Sequence, residues 1–315
     1  MKKKIVIAGG TGFLGKALES YFTDQGHTVV ILTRKPQHLH HQEWDGQNVG
    51  PWVEQLEGSD ILINLCGQSV DCHYTPQNKK AILDSRLIPT RLLNKAMSLC
   101  NSLPAIFINA SSSTIYIHSE EVPMTERDGV IGCDFSMSVV KQWEAAFFEK
   151  ELPCIRKVAL RTSIVLGETG GAYPKLKQII QLGLGGHQGN GDQMLSWISL
   201  LDYCRAVQHI IDTPYLEGAL NITGPQPVTN KVFMRKLRKS LKPLFALPQP
   251  KWLLELGAAV IGTETELLLK SRYVIPERLQ NSGFEFDHTT ITKWLSKKPL
   301  AMGLAAQNKR TTYSQ

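Results

Sequence analysis

The sequence predicts an α/β chain organised around a doubly wound parallel sheet, and three observations predict it. Short β-branched runs at residues 4–8 (KIVIA), 27–32 (HTVVIL) and 60–65 (DILINL) are apolar on both faces, as strands covered by helices on both sides must be. A helical stretch, residues 16–22, separates the first two and ends at Gly26. Glycines crowd the first strand-to-helix turn, which completes a βαβ unit of about thirty residues.

The glycines each have a physical task. Gly9 suits a tight turn that needs positive φ or no Cβ. Gly12 lets the backbone approach a pyrophosphate, and Gly15 lets the helix pack on the strand. Amide N–H groups at the helix start then face phosphate oxygens. In this strand–turn–helix setting the motif Gly9-Gly10-Thr11-Gly12-Phe13-Leu14-Gly15 reads as a Rossmann dinucleotide site. The end of the second strand selects the cofactor. An NAD site places Asp or Glu there for the ribose 2′-hydroxyl. This chain has Thr33-Arg34-Lys35, with no carboxylate and two cations, and Arg34 suits a 2′-phosphate. NADP(H) is therefore the expected cofactor. Asn64-Leu65-Cys66-Gly67, at the end of the third strand, falls where the ligand crevice of such a sheet lies.

Bulk properties exclude several classes. With 315 residues, 42% hydrophobic and 20% charged, the chain is long enough for one large domain or a large and a small one. No apolar run approaches the roughly 18 residues of a membrane span. The basic start is followed by an apolar stretch that Gly9-Gly10 interrupts, unlike a signal peptide, so a cytoplasmic location is expected. Six scattered cysteines without a CxxC pair read as buried thiols rather than disulfides. Cys72-His73 and the group His38, His40, His41 lack a second ligand pair at metal-site spacing, so no metal is expected. The net charge of +7 is dispersed, with no basic stripe interleaved with aromatics, which argues against nucleic acid.

GGTGFLG, LTR and INLCG together resemble the extended short-chain dehydrogenase/reductase superfamily. Asp84-Ser85-Arg86, Trp143-Glu144, LRTSIVLG (160–167), LGLGG (182–186), LSWISLLD (195–202) and YVIPERL (273–279) narrow the likeness. They resemble the sugar-nucleotide epimerase-like branch known as the YfcH-like epimerase family, with its C-terminal domain of unknown function. The resemblance covers roughly residues 3–295. It implies a Rossmann core with a smaller C-terminal substrate-binding domain, the crevice lying between them. Strands at 105–110, 155–162 and 219–222 would complete the sheet, and helices at 230–241 and 252–270 would belong to the smaller part. The division expected is 1–166 for the cofactor domain, with its last strand near 219–223, then 167–300 for the substrate side and a flexible tail from 301. A small polar substrate, such as a nucleotide sugar, and a homodimer are further implications.

The superfamily works with a Ser, a Tyr and a Lys, the Lys lowering the pKa of a Tyr that serves as general acid/base. By spacing from Tyr116, Ser112 matches the serine, with Ser113 next to it; the same serines could simply cap a turn. The Tyr-x-x-x-Lys pair is missing its tyrosine. Counted from Lys141 the position holds Met137, and counted from Glu144 the pair would be Ser136 and Val140. Lys141 either reaches the cofactor ribose or is a surface lysine. Three possibilities follow: Tyr116 supplies the proton, another group such as Tyr74, His73 or His187 does, or the chain binds cofactor as a silent redox sensor.

One further stretch and three residues carry expectations. The glycine-rich stretch 183–191 reads as a lid or, more plainly, as a hairpin into residues 193–198. Arg161 reads as a buried structural ion pair. Asp202 reads as an early helix residue, and Arg86 as either a solvated or paired helix residue or an anion contact.

Overall fold

The computed structural model describes residues 1–152, 154–181, 183, 185–242 and 270–296. The expected helix at 252–270, Leu182 and Leu184, and the tail from 301 lie outside the described residues, apart from Lys270. In chain order the leading elements are β1 (Lys4–Ala8), α1 (Phe13–Asp24), β2 (Thr28–Thr33), β3 (His41–Glu43), β4 (Ile61–Asn64), α2 (Pro76–Met97), β5 (Ile106–Ser112), α3 (Phe135–Phe148) and β6 (Arg156–Thr162). Then follow β7 (Ile164–Leu166), α4 (Ala172–Gln181), β8 (Met194–Leu195), β9 (Trp197–Ser199), α5 (Leu200–Asp212), β10 (Gly218–Ile222), β11 (Val228–Thr229) and α6 (Asn230–Leu241).

Seven of these strands form one parallel sheet in the order β3-β2-β1-β4-β5-β6-β10. The chain starts in the middle, winds outward to β3, then returns through β4 to the other edge. That reversal between β1 and β4 makes a crevice at the carboxyl ends of the strands. Side-chain alternation explains the two helical layers. Ile5, Ile7, Ile61, Ile63, Ile106 and Ile108 meet α1 and α5, through Leu18, Phe22, Val207 and Ile210. Val6, Ala8, Leu62 and Phe107 face the other way, onto Leu93 and Met97 of α2 and Phe147 of α3. Each buried Ile or Leu contributes roughly 1.5–3 kcal/mol.

Local sequence sets the helix starts. Thr75 caps α2 by accepting from the Asn78 amide, with Pro76 in the first turn, where a missing N–H costs nothing. Asp134 caps α3 and Ser199 caps α5 in the same way. The helix expected from residue 16 starts earlier, at Phe13, because Gly12 already adopts the extended N-cap conformation.

The expected hairpin is not formed. β8 pairs antiparallel with β11 and β9 pairs parallel with β7, so the two strands after the glycine-rich stretch join different sheets. The stretch is also tied down rather than free to close as a lid. Gln188 and Asn230 bond reciprocally, Asn230 Nδ2 to Gln188 Oε1 at 3.1 Å and the Gln188 amide to Asn230 Oδ1 at 2.8 Å. Glycines 183, 189 and 191 hold positive φ there, which an L side chain would resist.

Candidate dinucleotide site at the carboxyl edge of the sheet

The turn after β1 is shaped by what cannot fit. Gly9 has φ +69°, and a Cβ on it would lie 2.9 Å from Cys66 Sγ. On Gly15 a Cβ would lie 2.2 Å from the Gly10 carbonyl oxygen. Gly12 is different: nothing stands within 4 Å of its Cβ position. No side chain caps α1, whose first-turn amides are those that helix geometry leaves without partners. An open backbone approach thus meets a set of free donors at the positive end of a helix. Thr11 lies exposed in this turn and Leu14 packs partly buried on the core. Phe13 closes the far side. Its ring is 2.5–2.9 Å from the Cβ positions of Gly167, Gly170 and Gly171, so glycine is required where the loop after β7 crosses it.

At the end of β2, Thr33 is buried and its hydroxyl accepts the Lys35 amide at 3.3 Å. Arg34 and Lys35 are exposed, and neither pairs with a carboxylate among the described residues. Arg34 is close enough to Cys66 for its charge to favour the thiolate, but burial dominates and pushes the thiol up to about 12. Cys66 is therefore a neutral packing group.

Beneath Cys66 lies a closed polar network. Asn64 Nδ2 donates to Thr90 Oγ1 at 3.0 Å and Asn109 Oδ1 at 2.7 Å, while its Oδ1 accepts the Cys66 amide at 3.1 Å. Trp143 Nε1 also donates to Thr90 Oγ1, at 3.0 Å, and Thr90 passes its proton to the Arg86 carbonyl. With Leu65 N–H bonded to the Ala8 carbonyl at 2.9 Å, the ends of β1, β4 and β5 and helices α2 and α3 are locked together under the crevice. Satisfied networks of this kind are rigid.

Arg86 sits above that network. Its Nη1 donates to the Ile82 carbonyl at 2.8 Å, its guanidinium stands 5.2 Å from the Trp143 ring centroid, and a Cβ on Gly67 would come within 3.3 Å of its Cζ. Burial brings its pKa down to about 10, against the opposing effect of Tyr74, so it stays charged at neutral pH. Among the described residues no carboxylate pairs with it; the Ile82 carbonyl of its own helix and the Trp143 ring hold it.

The expected catalytic set is dispersed. Ser112, half-buried at the end of β5, caps a single 3₁₀ turn, Ser113–Ile115, accepting the Thr114 amide at 3.2 Å and donating to Thr114 Oγ1 at 2.9 Å. Tyr116 is 0% exposed. Its hydroxyl accepts from Arg161 Nη1 at 2.8 Å and donates to Asn221 Oδ1 at 2.9 Å. Burial raises its pKa, with the Arg161 charge opposing. The phenol expected as a proton donor is thus buried, with both of its hydrogen bonds made inside the protein. Arg161 belongs to a structural pair, as expected, bonding Glu144 through Nε at 2.8 Å and Nη2 at 2.7 Å, while Ser111 donates to the same carboxylate at 2.6 Å.

On α3 the buried face carries Ser136, Val140 and Glu144 at a four-residue period. Lys141 is exposed, beyond that arc, and among the described residues makes no hydrogen bond or ion pair. Ser136, Met137 and Val140 are all buried on α3, so neither register presents a Tyr-x-x-x-Lys pair. His187 is bonded to the Gly189 carbonyl at 3.0 Å and His73 is exposed. Tyr74 packs its ring on Phe135, at 4.8 Å between centroids, beside the Arg86 charge. Asp202, fully buried in the first turn of α5, accepts from Ser199 Oγ (2.9 Å), the Asp287 and His288 amides (2.8 Å each) and Arg205 (3.2 Å). It anchors residues 287–288 to α5.

Strand order, switch point and glycine turn define a dinucleotide-binding α/β protein. The comparisons with known proteins agree. A model described as the NAD dependent epimerase/dehydratase family matches residues 5–134, and a domain of unknown function, DUF1731, matches residues 249–297. An epimerase family protein of Mycobacterium bovis is 32% identical over 91% of this chain and 94% of its own length. The chain belongs to this epimerase family. Human epimerase family protein SDR39U1, in a crystal structure with NADPH, superposes with a TM-score of 0.83 at 29% identity, covering 93% of this chain and 97% of that one. A nucleoside-diphosphate sugar epimerase from Corynebacterium glutamicum gives a TM-score of 0.74 at 27% identity over 93% of this chain and 57% of that chain. Among the described residues no helix is long and apolar enough to cross a membrane.

Proposed function

We propose that the chain binds NADP(H) at the carboxyl edge of the sheet and uses it in hydride transfer on a small polar, anionic substrate, of which a nucleotide sugar is the leading example. The observation that carries this reading is an open, uncapped α1 N-terminus at Gly12 together with Arg34, which has no carboxylate partner among the described residues, where an NAD site would hold a carboxylate. The residues present fit the cofactor. Backbone amides of Thr11, Gly12, Phe13, Leu14 and Gly15 would hold the pyrophosphate, beside the turn that Gly9 makes possible. Arg34, with the Thr33 backbone, would hold the 2′-phosphate, and Asn64 to Gly67 would border the ribose. Human SDR39U1, in its crystal structure with NADPH, supports this choice.

The bound nicotinamide would supply or accept the hydride. Arg86 holds the substrate's anionic group against Gly67, since a half-buried cation with no carboxylate partner is stabilised by a ligand that brings one. Ser112 orients the reacting oxygen. The proton comes from a group other than Tyr116, and Tyr74, the phenol beside Arg86, is the candidate. Lys141 has no role in this scheme. The division at residue 166, with the substrate side beyond it, is part of the proposal.

A second reading, a silent NADP(H)-binding sensor, is favoured by Ser136 and Val140 standing where a Tyr and a Lys would work. To separate the two, the protein is incubated with NADPH and a panel of nucleotide sugars and carbonyl compounds. Cofactor absorbance and epimeric products are then followed. Turnover that is lost in Tyr74→Phe and in Arg86→Gln, with NADPH affinity retained, supports the enzyme. Tight NADPH binding without turnover on the whole panel supports the sensor.

A further inference from the structure

The loop that carries Arg34 runs on into three histidines, and the fold gives them a carboxylate that the sequence places far away. Glu19, on the second turn of α1, lies 2.5 Å from His40 Nε2. One ligand atom each from Glu19, His40 and His41 all fall within 4.8 Å of one another. His38 joins the group, its ring parallel to that of His40 at 5.5 Å between centroids and edge-on to His41 at 4.7 Å. His40 and His41 are themselves edge-on at 4.8 Å. Three imidazoles packed this closely without a carboxylate or cation between most of them gain little from one another. His41 adds a specific anomaly: its Nε2 is buried and has no hydrogen-bond partner.

We propose that Glu19, His40 and His41, with His38 as a fourth donor, form a binding site for a divalent transition-metal ion of the zinc class. Two or three imidazoles and one carboxylate are the nitrogen–oxygen donor set that Zn²⁺ takes in tetrahedral coordination, at about 2.0–2.2 Å from each ligand. Mg²⁺ and Ca²⁺ want oxygen-rich sites and are poorly served here. The donors need to close by roughly 1–2 Å to reach tetrahedral spacing, through side chains that are exposed or half-buried. His40 and Glu19 already lie side by side as donors, 2.5 Å apart. Coordination through Nε2 of His41 moves its ring proton to Nδ1, so the Gln37 amide gives up a long 3.2 Å bond to that nitrogen.

The site has a consequence for the cofactor, and this part rests on the NADP(H) reading above. Glu19 belongs to α1, whose N-terminus faces the pyrophosphate. His38 and His40 belong to the segment between β2 and β3 that begins with Arg34 and Lys35, and His41 opens β3. A metal ion would staple the loop that reads the 2′-phosphate to the helix that holds the pyrophosphate. Ordering that loop before NADPH arrives removes part of the entropy cost of binding, so metal and NADPH favour each other to the same degree.

The test is titration of ZnCl₂ into cofactor-free protein, following heat and competition with a chromophoric chelator. Wild type is expected to bind one Zn²⁺ per chain. Glu19→Gln and the double variant His40→Ala/His41→Ala should each weaken it by at least about tenfold, which is 1.4 kcal/mol. Circular dichroism and NADPH titration in the presence of chelator should match wild type, which shows that the variants are folded. No binding by wild type, or equal binding by the double variant through the exposed Cys133 or Cys154, would overturn the site. Saturating Zn²⁺ should tighten NADPH by a few-fold in wild type and not in the double variant. Unchanged NADPH affinity would overturn the coupling. Zinc binding without any NADPH binding would refute the cofactor reading instead.

Discussion

Substituting Gly12 by Val separates a fold that needs its glycine from a ligand that needs it. The backbone at Gly12 has φ −80° and ψ −178°, which any residue adopts, and a Cβ there touches nothing within 4 Å. The cost to the cofactor-free protein is confined to a weaker N-cap, about 0.5–1 kcal/mol. For a chain of this size that lowers Tm by about 1–2 °C. The same isopropyl group would occupy the space a pyrophosphate must enter to reach the first-turn amides. Losing two charge-assisted hydrogen bonds at about 1.5–3 kcal/mol each removes roughly 3–6 kcal/mol of binding. That is a factor of about 10² or more in Kd. Gly15→Ala is the contrast. Its Cβ would sit 2.2 Å from the Gly10 carbonyl, so it should damage folding itself. The assay is a thermal melt and an NADPH titration of both variants. A well-folded Gly12→Val protein that binds NADPH within about threefold of wild type would refute the approach of the phosphates at this turn.

Other variants test the rest of the account. Tyr116→Phe should leave NADPH affinity unchanged and cost about 1–3 kcal/mol of stability in a denaturant melt, because Arg161 and Asn221 each lose a buried partner. A selective loss of turnover instead would restore Tyr116 to catalysis. Asp202→Ala should destabilise by about 3–5 kcal/mol, since it strips the acceptors from Ser199, Arg205 and the 287–288 amides. A near-neutral result would mean residues 287–288 are held otherwise. Burial pushes the thiols of Cys66 and Cys204 up to about 12, so their thiolates are scarce below that pH. In iodoacetamide labelling of the native protein at pH 8, read by mass spectrometry, they should stay unmodified while exposed Cys133 and Cys154 react. Labelling of Cys66 at a comparable rate would show it to be an open, activated thiol.

How far the sequence could be read depended on how local the determinants are. β1, the glycine turn and α1 were legible because strand burial, turn conformation and helix start are written in consecutive residues. The absence of a carboxylate after β2 was legible for the same reason. β3 was not, because three polar residues at a sheet edge carry no hydrophobic period. Glycines at 183–191 suggested mobility, yet the Gln188–Asn230 pair that pins them joins residues 42 apart. The surroundings of Tyr116 were not legible because its partners, Arg161 and Asn221, come from two other strands. The histidine group looked incomplete from spacing alone, since its carboxylate comes from α1, twenty-one residues before His40.

On the proposed reading, Arg34, with no carboxylate partner among the described residues, makes the open glycine turn beside it an NADP(H) site. Calorimetric titration of wild type and Arg34→Asp with NADPH and with NADH tests it directly. The account predicts that wild type binds NADPH at least about tenfold tighter than NADH. It also predicts that Arg34→Asp loses most of its NADPH affinity while keeping that for NADH. Equal affinities in wild type, or equal losses in the variant, would contradict the assignment of the 2′-phosphate to Arg34. Binding of neither nucleotide would contradict the dinucleotide site itself.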